Sequence, residues 1–230
     1  MKHQRYSCQE DNLNNPNTRY FWNKKILNSK KNLIGSLIYT QKNNWVVKEL
    51  KNFSGKILDI GIGYGYLEDL IIKYRLQLHL YGIDISNYAV TSARKKFKGI
   101  FKIANINKIP FRRDYFNCVV ALDVLEHLFE SKLPNALLEV KKVLKKDGIF
   151  IVSVPLNESN KDKLANGHLR EYTADIIKTE IESAGFSVYK LKYLYAFKTN
   201  VLLKSIVNNI FKFKQPNLII LLAKKIWKYF

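Results

Sequence analysis

The sequence predicts an α/β fold around a mostly parallel sheet. Three observations carry that prediction. Short apolar runs alternate with stretches of helical apolar period at least five times after residue 55. The first run leads into a glycine-rich turn, and the second ends on an acid. The fourth, NCVVAL at 117–122, is apolar enough to be buried on both faces, as a central parallel strand is.

Each element has a local reason. Residues 1–18 are polar and Asn-rich and read as a loose arm. Residues 19–53 hold two weakly amphipathic helices, one with Tyr20, Phe21, Trp22 and Ile26, the other with Leu37, Ile38, Trp45, Val46 and Leu50. Strand one covers 57–60. A helix over 66–75 then sets Leu67, Leu70, Ile71 and Tyr74 on one face. Strand two, 78–83, ends at Asp84. Ser86 caps a helix bearing Ala89, Ala93 and Phe97, and Gly99 stops it. Strands three and four cover 100–104 and 117–122. A helix is expected from about Val124 and another over 134–146, with Pro134 in its first turn. Strand five covers 148–154. Thr173 caps a helix that aligns Ile177, Ile181 and Ala184 and ends at Gly185, and 186–194 alternate as strand six. Residues 200–213 read as a basic amphipathic helix, with Leu203, Ile206, Val207, Ile210 and Phe211 opposite Lys204, Asn208 and Lys212. Pro216 before a short apolar run makes 217–224 a seventh strand. The expected organisation is an arm and site-covering helices at 1–52, a main domain at 53–224 with a basic insert at 196–214, and a basic-aromatic tail at 225–230.

Composition narrows the function. The 230 residues carry 39 Lys and Arg against 19 Asp and Glu, a net charge of +20. Residues 1–58 hold +8, 59–185 only +3, and 186–230 hold +9 with no acid. The positive field therefore belongs to the ends, and it suits an anionic partner such as nucleic acid, a membrane surface or an acidic substrate. Two cysteines, Cys8 and Cys118, exclude a disulfide scaffold. Met1 is followed by polar residues, and no apolar run approaches the roughly 20 residues of a membrane span. The expected compartment is the cytoplasm, with peripheral contact to the inner membrane face.

In α/β sheets the ligand lies beyond the C-terminal strand ends. The sharpest signal stands there, Asp59-Ile60-Gly61-Ile62-Gly63-Tyr64-Gly65. The third glycine comes one residue too early for a dinucleotide turn, and an acid precedes the first by two. A pyrophosphate would be repelled by that carboxylate; a cationic ligand would be held. Asp84, 19 residues after Gly65, can accept both hydroxyls of a ribose. Ile85 can lie against a purine face, and Asn105 and Ile106 follow strand three, where a polar group can read an adenine edge.

At this point the sequence resembles the class I S-adenosylmethionine-dependent methyltransferases. ILDIGIGYGYLEDLI is similar to their first motif and LYGIDIS to the acidic second one. IPFRRDYFNCVVALDVLEHL resembles the fourth-strand region of the type-11 branch, and VLKKDGIFIVSVP, LREYTADIIKTEIESAGF and PNLIILLAKK resemble its later landmarks. The resemblance spans about residues 40–224. It implies a Rossmann-like three-layer sandwich whose seven-stranded sheet is mostly parallel, with the last strand antiparallel. It implies S-adenosylmethionine as cofactor. It puts Asp59, Gly61 and Gly63, with Gly65 in the same loop, at the methionine end. Asp84 then falls to the ribose, Ile85 and Asn105 to the adenine, and Ala121 or Leu122 to the methionyl group. Asn105 stands where the family usually has Asp, and its amide oxygen can still accept from an adenine amine. Asn117 replaces an Asp common at the start of strand four.

Methyl transfer from a sulfonium needs alignment, water exclusion and, for some acceptors, a base. Asp123, Glu126 and His127 follow strand four at i, i+3 and i+4, one face of a helix. Some quinone-pathway O-methyltransferases and small-RNA 3′-end methyltransferases use a similar face for a divalent metal, and His168 could add a ligand. The reading taken is that these residues support the site without metal, with His127, His168 and Asp123 as catalytic candidates and Glu126 toward the substrate. Residues 156–172 form a long polar connection over the substrate side, with His168 as a base, Arg170 as an anion clamp and Tyr172 as an aromatic wall. No [ND]PP[FYW] motif follows strand four, which lowers a nucleic-acid acceptor. The expected acceptor is a small hydrophobic or lipid- or sugar-linked metabolite methylated on oxygen. The alternatives are an RNA methyltransferase using the basic ends, or a non-catalytic nucleotide-binding protein.

Overall fold

The computed structural model describes residues 17–33, 37–51, 53–195 and 215–226. Two helices come first, α1 (Arg19–Leu33) and α2 (Leu37–Leu50). There follow β1 (Gly55–Ile60), α3 (Tyr66–Lys73), β2 (Leu78–Asp84), α4 (Asn87–Lys96), β3 (Gly99–Ile103) and β4 (Phe116–Leu122). After β4 come two 3₁₀ turns, Leu125–His127 and Glu130–Lys132, then α5 (Leu133–Val143) and β5 (Leu144–Pro155). The chain continues through α6 (Asn160–Asn166), α7 (Ala174–Ser183), β6 (Phe186–Leu194) and β7 (Leu218–Lys225).

The seven strands form one sheet in the order β3-β2-β1-β4-β5-β7-β6. Pairings from β3 through β5 are parallel, and β7 runs antiparallel to both β5 and β6. The expected mostly parallel sheet with an antiparallel last strand is therefore the observed one. The strand order reverses at β1/β4, so the C-terminal ends of β1, β2, β3 and β4 open onto one crevice.

Alternation along β4 explains the two-sided core. Val119 and Ala121 face a cluster with Leu137, Val140, Ile177 and Ile181 from α5 and α7. Cys118 and Val120 face one with Val46, Leu50, Leu70 and Val90 from α2, α3 and α4. Three helix caps fall where the sequence puts them or at the same kind of residue. Ser86 accepts from Ala89 N, Thr173 from Ile176 N, and Ser159 from Asp162 N.

Several boundaries differ from expectation. No α-helix starts near Val124; Asp123 sits at φ 56°, and only a 3₁₀ turn follows. The helix expected over 134–146 stops at Val143, because Leu144 already pairs with Phe116 and begins β5. The connection 156–172 contains α6, capped by Ser159 and closed by Gly167 at φ 73°. The amphipathic stretch 200–213 and the tail residues Trp227, Tyr229 and Phe230 lie outside the described residues. No helix among the described residues is long and apolar enough to cross a membrane.

Candidate functional site

The glycine loop leaves β1 in a conformation only glycine takes easily. Gly61, Gly63 and Gly65 have φ of 86°, 54° and 72°. A Cβ on Gly61 would stand 2.8 Å from Val124 Cγ2, and one on Gly65 would run into the Phe97 ring. Beside Gly63 the nearest atom to such a Cβ is 3.9 Å away, so its backbone faces open space that a ligand can use. Gly61 N donates to Ile83 O at 2.8 Å and ties the loop to β2. Asp84 completes the tie, its two oxygens accepting from Gly63 N at 2.9 Å and Ser86 N at 2.8 Å. Burial raises the Asp84 carboxyl, and those N–H groups oppose the rise.

Beneath the loop lie more acids than cations. Asp59 and Glu68 are both buried, and the Glu68 Oε2 has no hydrogen-bond partner. Burial pushes Asp59 up to about 7, against a hydrogen bond with Glu68 and the Lys42 charge, and Asp84 adds to the rise. Burial and Asp59 hold Glu68 well above the usual carboxylate range. Two buried carboxyls of this kind hold a proton, and a cationic ligand displaces it. The protonated pair favours the ligand-free fold at low pH and loses that contribution as pH rises through about 7. Binding of a cationic ligand has the opposite slope. Affinity is expected to fall roughly tenfold per unit below pH 7, and Asp59→Asn should flatten that slope in calorimetric titrations.

Lys42 is the residue that sequence reasoning missed. It is only 2% exposed, and its Nζ lies 4.6 Å from the Tyr39 ring centroid and is paired with Asp123. Asp123 also accepts from Ser153 Oγ at 2.6 Å. A lysine in an otherwise polar helical segment reads as solvent-facing, so nothing in the pattern marks it. Lys42→Met should cost about 2–3 kcal/mol in denaturant unfolding, the lower end applying because Asp123 is one-third exposed.

The end of β4 gathers a second group. Ligand-type atoms of Glu126, His127 and His168 all lie within 4.8 Å of one another. Both Glu126 oxygens are buried without a hydrogen-bond partner. His127 Nδ1 lies 3.1 Å from Gly167 O, and His168 Nδ1 lies 2.5 Å from Glu158 Oε2. Each Nδ1 faces an oxygen that accepts from it, and the Nε2 of His127, held neutral by burial, keeps its lone pair. The His168 Nε2 is 4.0 Å from Glu126 Oε1. Burial lowers His127 to about 3, with Gly167 opposing and His168 and Lys25 adding to the fall. Burial and Asp123 raise Glu126 well above the usual carboxylate range. Glu126 therefore keeps its proton near neutral pH and can donate it, while His127 keeps a lone pair.

Helix α1 lies across both groups. Arg19 Nε donates to Ile85 O at 3.2 Å, and Ser86 Oγ to Asn23 Oδ1 at 2.6 Å. Farther on, Trp22 packs edge-on to His127 at 4.7 Å, and Lys25 Nζ donates to Asn166 O at 2.9 Å. Asn17 Nδ2 donates to Gly167 O at 2.8 Å and His127 O at 3.3 Å. These partners were not legible in so weakly amphipathic a sequence.

The other candidates fall into place unevenly. Ile106 is buried, Ile85 and Leu122 are half-buried, and Asn105 is exposed at the end of β3. The Asn105 oxygen already accepts from Asn107 N at 2.9 Å and from Asn107 Nδ2 at 3.3 Å, so an adenine amine would have to displace the Asn107 side chain. Asp123 does not share a face with Glu126 and His127; the left-handed turn sends it to Lys42 and Ser153. Arg170 is no free anion clamp, since it pairs with Glu180 and donates to Tyr172 Oη at 2.8 Å. Tyr172 is 4% exposed and packs in the core beside α7 instead of walling a substrate.

A seven-stranded sheet of this order, with a glycine loop over buried acids and an acid ending β2, defines the class I S-adenosylmethionine-dependent methyltransferases. Residues 58–152 match the methyltransferase domain family of type 11, and the protein is a methyltransferase with S-adenosylmethionine as cofactor. It is 29% identical over 200 residues to an uncharacterized protein of Methanocaldococcus jannaschii, covering 76% of this chain and 83% of that one. It is 25% identical over 122 residues to the uncharacterized methyltransferase YdaC of Bacillus subtilis, covering 51% of this chain and 66% of the other. Among solved structures, a SAM-dependent methyltransferase from Archaeoglobus fulgidus superposes with a TM-score of 0.68 at 19% identity, over 86% of this chain and 98% of that one.

Proposed function

We propose that the protein methylates a hydroxyl oxygen of a small hydrophobic acceptor, or of one carried on a lipid or sugar. The observation that supports this reading is the Glu126–His127–His168 cluster, whose ligand-type atoms lie within 4.8 Å of one another with the His127 imidazole held neutral by burial. When bound, S-adenosylmethionine supplies an electrophilic methyl group on a sulfonium. The open side of Gly63 and the buried Asp59–Glu68 pair fit its cationic methionine end, and Asp84 fits its ribose. An acceptor hydroxyl placed at the end of β4 donates to a neutral imidazole. As the methyl group would leave the sulfonium sulfur for the acceptor oxygen, the hydroxyl proton would pass to that imidazole nitrogen. Trp22 and the α1–α6 contacts exclude water from the line of attack.

One observation favours a second reading. Two imidazoles whose Nδ1 atoms rest on oxygen, with the His168 Nε2 4.0 Å from the buried Glu126 carboxyl, are also arranged as metal ligands are. A divalent ion would then hold the acceptor oxygen. Chelation separates the two readings, since transfer by the imidazole base persists in chelator and transfer through an ion stops.

The test is methyl-label transfer to an extract of the source cell, split into organic, nucleic-acid, protein and small-molecule fractions. Label in the organic or small-molecule fraction, in an alkali-stable ether, supports the reading. Label in RNA or on nitrogen contradicts it.

A further inference from the structure

A second concave site lies at the other end of the sheet. No helix joins β3 to β4; the chain crosses 104–115 as a loop, and Tyr81 of β2 packs against Phe111 and Tyr115 of that loop and Phe116 of β4. The result is a cavity of about 440 Å³ lined by Lys56, Lys102 and Arg112 and by Tyr81, Phe111 and Tyr115, with Ile100 and Pro110 at its edge. Lys56 is the second residue of β1 and Ile100 the second of β3, so the cavity sits toward the N-terminal strand ends, away from the glycine loop and the β4 cluster.

Its chemistry is one-sided. Lys56 Nζ lies 4.0 Å and Arg112 Cζ 4.8 Å from the Tyr115 ring centroid, and Lys102 Nζ lies 4.5 Å from that of Phe111. No acid lines the cavity. Among the described residues these three cations are in no ion pair, whereas Lys42, Lys96, Lys142, Lys163, Lys190 and Lys225 are. Tyr81 and Tyr115 share a 2.9 Å hydrogen bond, which fixes the rings as a platform. Middle-domain charge is otherwise nearly balanced, so this concentration is local. Unpaired cations beside fixed aromatic rings match a phosphate joined to a planar base. The volume suits one such unit. A membrane surface would call for a projecting apolar patch, and this surface is concave.

We propose that this cavity binds a nucleotide through its phosphate and base, as a free molecule or as one unit of single-stranded RNA. The three cations hold the phosphate, and the exposed edges of Phe111 and Tyr115 hold the base. The site is independent of the acceptor proposed above, because it shares no residue with the β4 cluster.

The test uses the full chain with its cofactor site saturated by S-adenosylhomocysteine. ATP and a 12-residue oligouridylate are the probes, read by calorimetry and fluorescence anisotropy. The double variant Lys102→Glu/Arg112→Glu should weaken the bound probe at least tenfold, and Tyr115→Ala at least fivefold. The control Lys48→Glu/Lys178→Glu, with the same net charge, should change it less than threefold. For the oligonucleotide, the slope of log affinity against log salt should fall by about 2 in the cavity variant. Unchanged S-adenosylhomocysteine affinity in each variant verifies its fold. Binding of ATP identifies a free nucleotide as the ligand, and binding of the oligonucleotide alone identifies RNA. Absence of binding to both, equal weakening in the control, or loss only of binding to vesicles of phosphatidylglycerol would overturn the proposal.

Discussion

Asp84→Ala is expected to weaken S-adenosylmethionine binding by about a hundredfold or more. Two ribose hydroxyls donating to one carboxylate are worth about 1.5 kcal/mol each at the low end, and about 3 kcal/mol is roughly two decades of affinity. The loss does not stop at the ribose. Asp84 also accepts from Gly63 N and Ser86 N, so its removal frees the glycine loop from β2 and leaves two N–H groups without their acceptor. Asp84→Asn keeps an acceptor for one of them and should recover part of the thermal stability while recovering little affinity. Calorimetric titration of the three proteins checks this. Unchanged affinity in Asp84→Ala would remove the carboxylate from the cofactor site.

His127→Ala should lower kcat by about a hundredfold to ten-thousandfold, the usual contribution of a positioned base, with cofactor affinity nearly unchanged. His127 touches Trp22, His168 and Gly167, whereas the cofactor reading rests on β1 and β2. Glu126→Gln should lower kcat less than His127→Ala does, because the buried Glu126 carboxyl is already neutral. The pH profile is the sharper measure. A histidine held at about 3 stays neutral well below the usual range, so the rate should not fall as pH drops from 7 to 5 on its account. Its effect on stability has the matching sign. The unfolded chain takes up the proton first, so stability is lost as pH falls from about 6.5 toward 3. A rate that falls through pH 6.5 in single-turnover assays would place the working base elsewhere.

What the sequence makes legible is what local chemistry dictates. The Gly61–Gly63–Gly65 turn needs positive φ, Asp84 ends an apolar run, and Ser86 and Thr173 accept at helix starts; all stand as expected. The strand β7 was legible because Pro216 isolates a short apolar run, and its antiparallel sense followed from the family resemblance alone. The 3₁₀ turn after β4 was not, because DVLEHL carries a helical spacing that a single left-handed residue, Asp123, overrides. Lys42 and Arg170 show the same limit from the side of charge. Each reads as a solvent or ligand-facing cation, and each is paired with an acid distant in sequence or on a neighbouring helix. Partner choice across elements depends on tertiary packing, which no spacing rule carries.

The most direct measurement is a crystal structure with S-adenosylhomocysteine bound. The expected result has both ribose hydroxyls on Asp84, the adenine against Ile85 with its edge at Asn105, and the methionine end over Asp59 and Gly63. The sulfur should point toward Glu126 and His127, leaving room for an acceptor oxygen between them. A ribose bound away from Asp84, or a sulfur turned away from that cluster, would contradict the account.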